Sequence, residues 1–395
     1  MKFRNCNYKF SLVVILSVSM ILISCKDNPL EPPLNMLTDD NIAKIQTAAD
    51  KIMREYQTPG LAAYISVGGE REFTLTRGVS NLMTNEPMSV NNSFRIASIT
   101  KTFTTEAVLI LMDNGLIDLN KPILYYLPDL KLPKGSDKIT VRMLGNMTSG
   151  LFNYTGDPEL NDLRYSTNGE TIFTPQQLVA AACKKDSLNF KPGTKYEYSN
   201  TNTVILGMLI EKVTGKKVRD VLSEKIFQPL GMTNTYWPIS VFLPYPYTHG
   251  YFYSIEMHSF IDCTNWNPSW PDAAGALVSN VQDLVIWSKE LSEGNLLTTN
   301  SKKERYLWNV SGVYGFGINH YNDWIGHTGV IDGYNTNIWI NTVRHITIIT
   351  TTNTNINDPA SKSFQEFAKI LDPTLLRMNN NIFDGKHGYN KEIDF

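Results

Sequence analysis

The chain has 395 residues, 42% of them hydrophobic and 11% aromatic, and a formal net charge of −2. That balance offers no basic field for nucleic acid, and the aromatic content argues against a disordered chain. The length suffices for one large core, or for two lobes sharing a cleft.

Lys2, Arg4 and Lys9 precede an apolar run from Phe10 to Ile23. A charged head before a short apolar middle reads as a secretory signal, and the run is too short for a comfortable membrane span. It ends in Leu22-Ile23-Ser24-Cys25, which resembles the bacterial lipobox, where cleavage leaves the cysteine as the lipidated first residue. The expectation is a signal over 1–24, a lipid anchor at Cys25 and a proline-bearing tether over 25–40. The protein would then be exported and membrane-anchored, on the periplasmic or cell-surface side. An ordinary signal that happens to contain a cysteine is the alternative.

The folded part is expected over 41–379. Asn41 to Tyr56 has helical apolar spacing, with Ile42, Ile45, Ala48 and Ile52 on one face. Leu61 to Val67 and Glu72 to Gly78 read as strands joined by a turn at Gly68-Gly69-Glu70. Phe94 to Asn114 reads as one long apolar helix closed by Asn114-Gly115. Helices and loops follow to about Pro238, among them a helix over Asn202 to Val213. Pro244 to Trp270 is rich in Tyr, Trp and Pro, and Gln282 to Leu291 reads as a helix. Strand signals return over Gly315–His320, Trp324–Thr328, Asn335–Asn341 and His345–Thr352, and a last helix runs from Ala360 to Leu371. The tail 380–395 is polar.

Strands at both ends and helices between them predict an α/β (α+β) domain. One antiparallel sheet would be built from both chain ends and flanked by helices, with a mostly helical lobe inserted. The sheet lobe would take about 41–97 and 271–372, the helical lobe about 98–270, with a ligand cleft where they meet. Cys183 and Cys263 are the cysteines left for the folded part. They could pair, but nothing in the sequence sets the required geometry. The scattered cysteines and histidines have no metal-ligand spacing, so neither a metal nor another cofactor is expected.

Three elements carry chemistry. In Ser98-Ile99-Thr100-Lys101, a spacing of three puts both side chains on one helical face. A serine needs a base beside it, and a lysine serves only where burial or positive charge lowers its pKa. In Tyr198-Ser199-Asn200, a phenol can relay a proton and an amide can orient a substrate carbonyl. His327-Thr328-Gly329 ends a strand-like run and precedes Val330. Glycine admits close backbone approach, and a strand edge can pair with an extended peptide. Each element alone has an ordinary reading: a chance spacing, a tyrosine in a loop, a histidine on a wet strand face.

In this order, the three resemble the serine β-lactamases and penicillin-binding proteins. The Tyr-Ser-Asn form resembles the class C β-lactamases and the related serine DD-carboxypeptidases and esterases. Phe94-Arg95-Ile96-Ala97 before the serine, Lys191-Pro192-Gly193, Pro229-Leu230-Gly231-Met232 and Ala274-Gly275-Ala276-Leu277-Val278-Ser279 match as well. The resemblance covers about Ile42 to Leu371. It implies that Ser98 is acylated and that Lys101 and Tyr198 share the proton transfers. Asn200 would hold the acyl amide, and the N–H groups of Ser98 and Val330 would form the oxyanion hole. His327, with Thr328 and Gly329, would stand where class C enzymes usually carry lysine, a form more like DD-carboxypeptidases and esterase or amidase relatives.

The implied function is a serine hydrolase, foremost a D-alanyl-D-alanine carboxypeptidase-like peptidase acting on cell-wall peptide or a related amide or ester. A class C-like β-lactamase or an esterase is the alternative within the enzymes. A catalytically idle penicillin- or peptidoglycan-binding sensor is the alternative outside them. The expected partners are a peptide, ester or β-lactam substrate and, through Cys25, a membrane. Nucleic acid is not expected, and the chain is read as a monomer. Trp266 and Trp270 either line the substrate site or pack the long aromatic loop.

Overall fold

Strands from the two ends of the described chain meet in one sheet. The computed structural model describes residues 36–69, 71–254 and 257–376. The expected signal over 1–24, Cys25, the tether as far as residue 35 and the tail 380–395 lie outside the described residues.

The strands are β1 (Gly60–Val67), β2 (Arg71–Asn81), β3 (Glu86–Pro87), β4 (Phe94–Arg95), β5 (Tyr251–Ser254), β6 (Ser259–Asp262), β7 (Val278–Ser279), β8 (Asn319–Tyr321), β9 (Trp324–Ile331), β10 (Tyr334–Asn341) and β11 (Ile346–Thr352). Seven form one sheet in the order β3-β2-β1-β11-β10-β9-β8. The N-terminal hairpin joins the C-terminal strands through antiparallel pairing of β1 with β11, Tyr64 opposite Ile349. This is the sheet expected from strand signals at the two ends.

Every residue of β1 and β10 is buried, because helices cover both faces. Successive side chains of a strand point to opposite faces. Leu61, Ala63, Ile65, Trp339 and Ile348 therefore pack with Ile45, Ala49, Phe364 and Phe367, from the Asp39–Glu55 and Pro359–Leu371 helices. Ala62, Tyr64, Ile338, Ile340 and Ile349 face the other way, toward Leu284 and Trp287 of the Val281–Glu293 helix. Each large apolar side chain so buried contributes roughly 1.5–3 kcal/mol. The first helix is stopped at its start by Thr38, whose hydroxyl accepts the Asn41 N–H at 3.0 Å. Asp39 and Asp40 sit in its first turn, where the helix dipole favours negative charge.

Four sequence expectations need correction. Phe94 to Asn114 is not one helix. Phe94–Arg95 pairs with Val278–Ser279 as a short strand, Ala97 takes a left-handed φ of 46°, and the helix begins at Thr100. The run lacks a helix breaker. What ends it is long-range pairing, including the Ile96 N–H donating to the Leu277 carbonyl at 3.0 Å. Second, Gly315–His320 is mostly loop, with only Asn319–Tyr321 in a strand and Gly317 at φ 77°. Third, the aromatic-rich stretch contains a β5–β6 hairpin that its sequence did not announce. The helix expected from Asn202 also starts two residues early, so that Asn200 lies in its first turn.

Cys183 and Cys263 are both free thiols. Among the described residues, no group of His, Cys, Asp or Glu could hold a metal ion. No described helix is long and apolar enough to cross a membrane.

Candidate active site

Ser98 lies in the single 3₁₀ turn Ala97–Ile99, which runs straight into the Thr100–Asp113 helix. The turn is held on two sides. A Cβ on Gly329 of β9 would stand 2.3 Å from the Ile96 carbonyl oxygen, so glycine there lets the strand backbone close on the serine turn. Gly275 lies on the other side, in van der Waals reach of the Ala97 carbonyl carbon. The Asp272–Ala276 segment is stitched to the same helix. The Thr104 hydroxyl donates to the Ala273 carbonyl at 2.8 Å, and the Leu277 N–H donates to the Thr100 hydroxyl at 3.1 Å.

Lys101 is wholly buried. Its Nζ lies 2.8 Å from Ser98 Oγ and donates to the Ala274 carbonyl at 2.7 Å. Desolvation holds its pKa well below the ordinary 10.5, since a buried amine loses the water that stabilises its charge. No acid offsets this: its nearest ring is Tyr198, with Nζ 5.0 Å from the centroid. The Lys101 lone pair is therefore available beside the serine hydroxyl.

Tyr198 stands between the first and third motifs, its ring centroid 6.2 Å from that of His327. Asn200 is fixed by Asn153, whose Oδ1 accepts its backbone N–H at 3.1 Å and its side-chain N–H at 3.2 Å. Ser98, Asn200 and Val330 line one small, open pocket, together with Tyr154, Trp270 and Ile331. Val330 is on β9 opposite Asn335, and the Asn335 amide donates to the Gly329 carbonyl at 3.2 Å.

His327 is on the same strand but buried, 1% exposed. Its Nδ1 lies 2.6 Å from the Thr328 carbonyl oxygen and its Nε2 lies 2.9 Å from Tyr314 Oη. Burial, and then the nearby Lys101, push its pKa down to about 3, against which the Thr328 contact acts weakly. The imidazole is neutral at ordinary pH.

Of the two tryptophans singled out in the sequence, Trp270 lines the pocket. Tyr154 and Phe173 meet it edge-on at centroid distances of 5.3 and 5.2 Å. The Arg164 guanidinium stands 4.8 Å from its centroid. Trp266 is not among the pocket residues and packs against Arg164 and Tyr165 instead. Arg164 forms a buried ion pair with Asp332, which also accepts from the Tyr165 hydroxyl at 3.1 Å.

Sequence reading missed Tyr314, Asn153 and the Arg164–Asp332 pair. None belongs to a motif. The one available signal was the Gly315 and Gly317 pair after Tyr314, which marks a loop able to pack its backbone closely.

The family model described as Beta-lactamase matches residues 45–367. A D-aminopeptidase of Brucella anthropi is 28% identical over 297 residues, 73% of this chain and 55% of that protein. Penicillin-binding protein 4* of Bacillus subtilis is 25% identical over 74% of this chain and 67% of that protein. The chain spans about half the length of the D-aminopeptidase it matches. Among solved structures, a D-stereospecific amidohydrolase from Streptomyces is similar at TM-score 0.74 and 29% identity, over 82% of this chain and 97% of that one. A D-amino acid amidase from Ochrobactrum anthropi is similar at TM-score 0.71 and 25% identity, over 84% of this chain and 99% of that one. With the model matched over most of the described residues and the fold shared, the chain belongs to the beta-lactamase family.

Proposed function

We propose that this chain is a serine hydrolase that cleaves an amide bond of a D-amino-acid compound through an acyl-enzyme at Ser98. The observation that carries the reading is the desolvated Lys101 amine 2.8 Å from Ser98 Oγ. As Oγ attacks the substrate carbonyl carbon, the amine takes its proton. Negative charge develops on the carbonyl oxygen, which the N–H groups of Ser98 and Val330 would receive. The proton then passes to the leaving nitrogen, with Tyr198 beside Lys101 for that transfer, and the C–N bond breaks. Water repeats the sequence on the ester, with Lys101 taking the water's proton and returning it to Oγ.

The D-aminopeptidase and D-amino acid amidase relatives support an amide of D configuration. A D-alanyl-D-alanine carboxypeptidase would use the same chemistry with an amino acid as leaving group. The edge of β9 favours an extended peptide. Its pairing with β8 ends where Asn319 meets Gly326, so Thr328–Ile331 meet no strand on that side among the described residues. A purely noncovalent binder would have no use for a desolvated base.

The test is intact-protein mass spectrometry and turnover with D- and L-amino acid amides, a D-Ala-D-Ala peptide and a penicillin. Turnover of a D-amide, with an adduct on Ser98 that disappears in Ser98→Ala, is the expected result. Full turnover by Ser98→Ala, or an adduct elsewhere, rejects the assignment. Lipidation at Cys25 and export are proposed on the Leu22-Ile23-Ser24-Cys25 quartet and the charged, apolar run before it.

A further inference from the structure

The pocket beside Ser98 lies on one side of the nucleophile. Its described lining runs through Tyr154, Trp270, Pro271 and Ile331 and does not include Lys101, Tyr198 or His327. The proton given to a leaving nitrogen comes from Lys101 or from Tyr198, whose ring centroid is 5.0 Å from Lys101 Nζ and 6.2 Å from that of His327. The leaving group therefore points toward Tyr198 and His327, and the pocket receives the acyl half. The third motif stands on the leaving-group side and places no limit on that half.

β9 offers the acyl half little backbone. Successive residues of a paired strand turn their N–H and C=O groups to opposite edges. With the Val330 N–H directed to the cleft, as an oxyanion hole requires, Gly329 and Ile331 face β10, where they lie opposite Thr336 and Tyr334. The next residue to face the cleft would be Asp332, and there the strand has ended. Asp332 and Gly333 make the turn into β10, with Gly333 at φ 79°. One acyl residue can pair with Val330, and a second finds no strand to pair with.

The Arg164–Asp332 pair stands where that second residue would go. Asp332 follows Ile331 of the pocket, and the Arg164 guanidinium is 4.8 Å from the centroid of Trp270 of the pocket. Arg164 belongs to the Pro158–Ser166 helix in the helical lobe and Asp332 to the sheet lobe, so their buried ion pair joins the lobes at this end of the cleft. Both members are anchored. A Cβ on Gly333 would stand 2.6 Å from the Gly250 carbonyl carbon, and one on Gly169, just past the helix, would stand 2.3 Å from Trp266 Cγ. The pair is thus a fixed wall behind a short pocket of apolar rings.

The same pocket holds acceptors for an amino terminus. The Asn200 backbone N–H only donates, so the Asn153 atom that it meets at 3.1 Å is Oδ1, and the Asn200 atom 3.2 Å from that oxygen is Nδ2. Asn200 Oδ1 remains an acceptor, and with the Val330 carbonyl it can receive the N–H groups of an amine.

We propose that Arg164 and Asp332 are specificity-determining residues: their ion pair closes the acyl end of the cleft and limits the acyl half to one apolar D-amino acid bearing its own amino terminus. This rests on the acyl-enzyme reading above. The enzyme would then release single N-terminal D-residues from an amide or a peptide, and a chain extended on the acyl side would be a poor substrate.

The test uses three amides of equal charge and equal leaving group: D-leucine amide, glycyl-D-leucine amide and diglycyl-D-leucine amide. Ammonia release by the full-length protein is measured for each. The first glycine should lower kcat/KM by about tenfold or more. In the double variant Arg164→Ala/Asp332→Ala, shown to be folded by circular dichroism, that ratio should shrink through the KM of the extended amides. Loss of stability alone would leave the ratio where it is. Wild-type protein that cleaves the extended amides as well as the short one, or an unchanged ratio in the folded double variant, overturns the proposal. Calorimetric binding of the same amides to Ser98→Ala separates this from the chemistry. D-leucine amide should bind about tenfold or more tighter than its extensions, and equal affinities, or no binding of D-leucine amide, also overturn the proposal. If the amides bind in that order and none acylates wild-type Ser98, the hydrolase reading fails and the closed acyl end stands. Should the double variant fail to fold, the wild-type ratio and the Ser98→Ala affinities remain sufficient to reject the proposal.

Discussion

Gly329 on β9 and Ile96 before the nucleophile turn touch backbone to backbone, with room for no side chain: a Cβ on Gly329 would stand 2.3 Å from the Ile96 carbonyl oxygen. Gly329→Ala must therefore push β9 and Val330 away from Ser98. Overpacking of this kind costs about 1–3 kcal/mol in stability. A displacement near 1 Å is enough to lower a rate about 10²-fold. The expected variant folds, as read by circular dichroism, yet acylates Ser98 far more slowly. Wild-type acylation by Gly329→Ala would show that the contact is not needed.

Lys101 should be a stability liability. Burial holds the pKa of its amine well below the ordinary 10.5, whereas the unfolded chain protonates it below about 10.5. Between the folded and unfolded values the unfolded state binds the extra proton, so the fold loses stability as pH falls through that window. Lys101→Met removes this term. We expect it to abolish turnover and to raise stability by about 0.5–2 kcal/mol at neutral pH, with the gain growing as pH falls from about 10.5. Urea unfolding of both proteins across pH measures the gap, and a variant less stable than wild type throughout contradicts it.

His327 should sensitise the fold to acid. Its folded pKa is about 3, below the ordinary 6.5. Between these values the unfolded chain holds a proton that the folded one does not, so stability is lost as pH falls from 6.5 toward about 3. The slope approaches about 1.4 kcal/mol per pH unit. His327→Asn should unfold less steeply with acid than wild type over that range. Parallel acid dependences in thermal unfolding would exclude the effect.

Arg164 and Asp332 form a buried pair beside Trp270, with side chains 5% and 10% exposed. Removing one member leaves an uncompensated buried charge, worth about 3–5 kcal/mol. Asp332→Leu and Arg164→Leu should each be strongly destabilised, and Arg164→Leu should also raise KM, because Trp270 loses the support of the guanidinium. The double variant should recover much of the stability. Additive losses in that double-mutant cycle would mean the two side chains are not coupled.

Cys25→Ala should release the protein from the membrane fraction or block its processing. A single acyl chain anchors only marginally, whereas the several chains of a bacterial lipoprotein hold firmly. Wild-type protein found soluble, with a mature N-terminus other than Cys25, refutes the anchor.

The residues proposed to perform chemistry were legible because each depends on covalent spacing. Ser98 and Lys101 are one helical turn apart, Tyr198 and Asn200 two residues apart, and His327 to Gly329 contiguous. Strand alternation and helix period likewise announced β1, β10, β11 and the helices that cover them. What spacing could not convey was environment. The Lys101 amine is desolvated because the fold removes its water and places the Ala274 carbonyl, from 173 residues away, against it. The helix at Ser98 starts late because Phe94 and Arg95 pair with a distant strand, although their own sequence favours no break. Tyr314 lies in none of the three motifs and meets His327 only when a glycine loop seats on Thr105 and brings its hydroxyl to the ring. Local sequence sets which groups are present and which share a face. Desolvation, partner choice and the protonation state that follows arise from contacts between segments far apart in the chain, and those exist only once the core has packed.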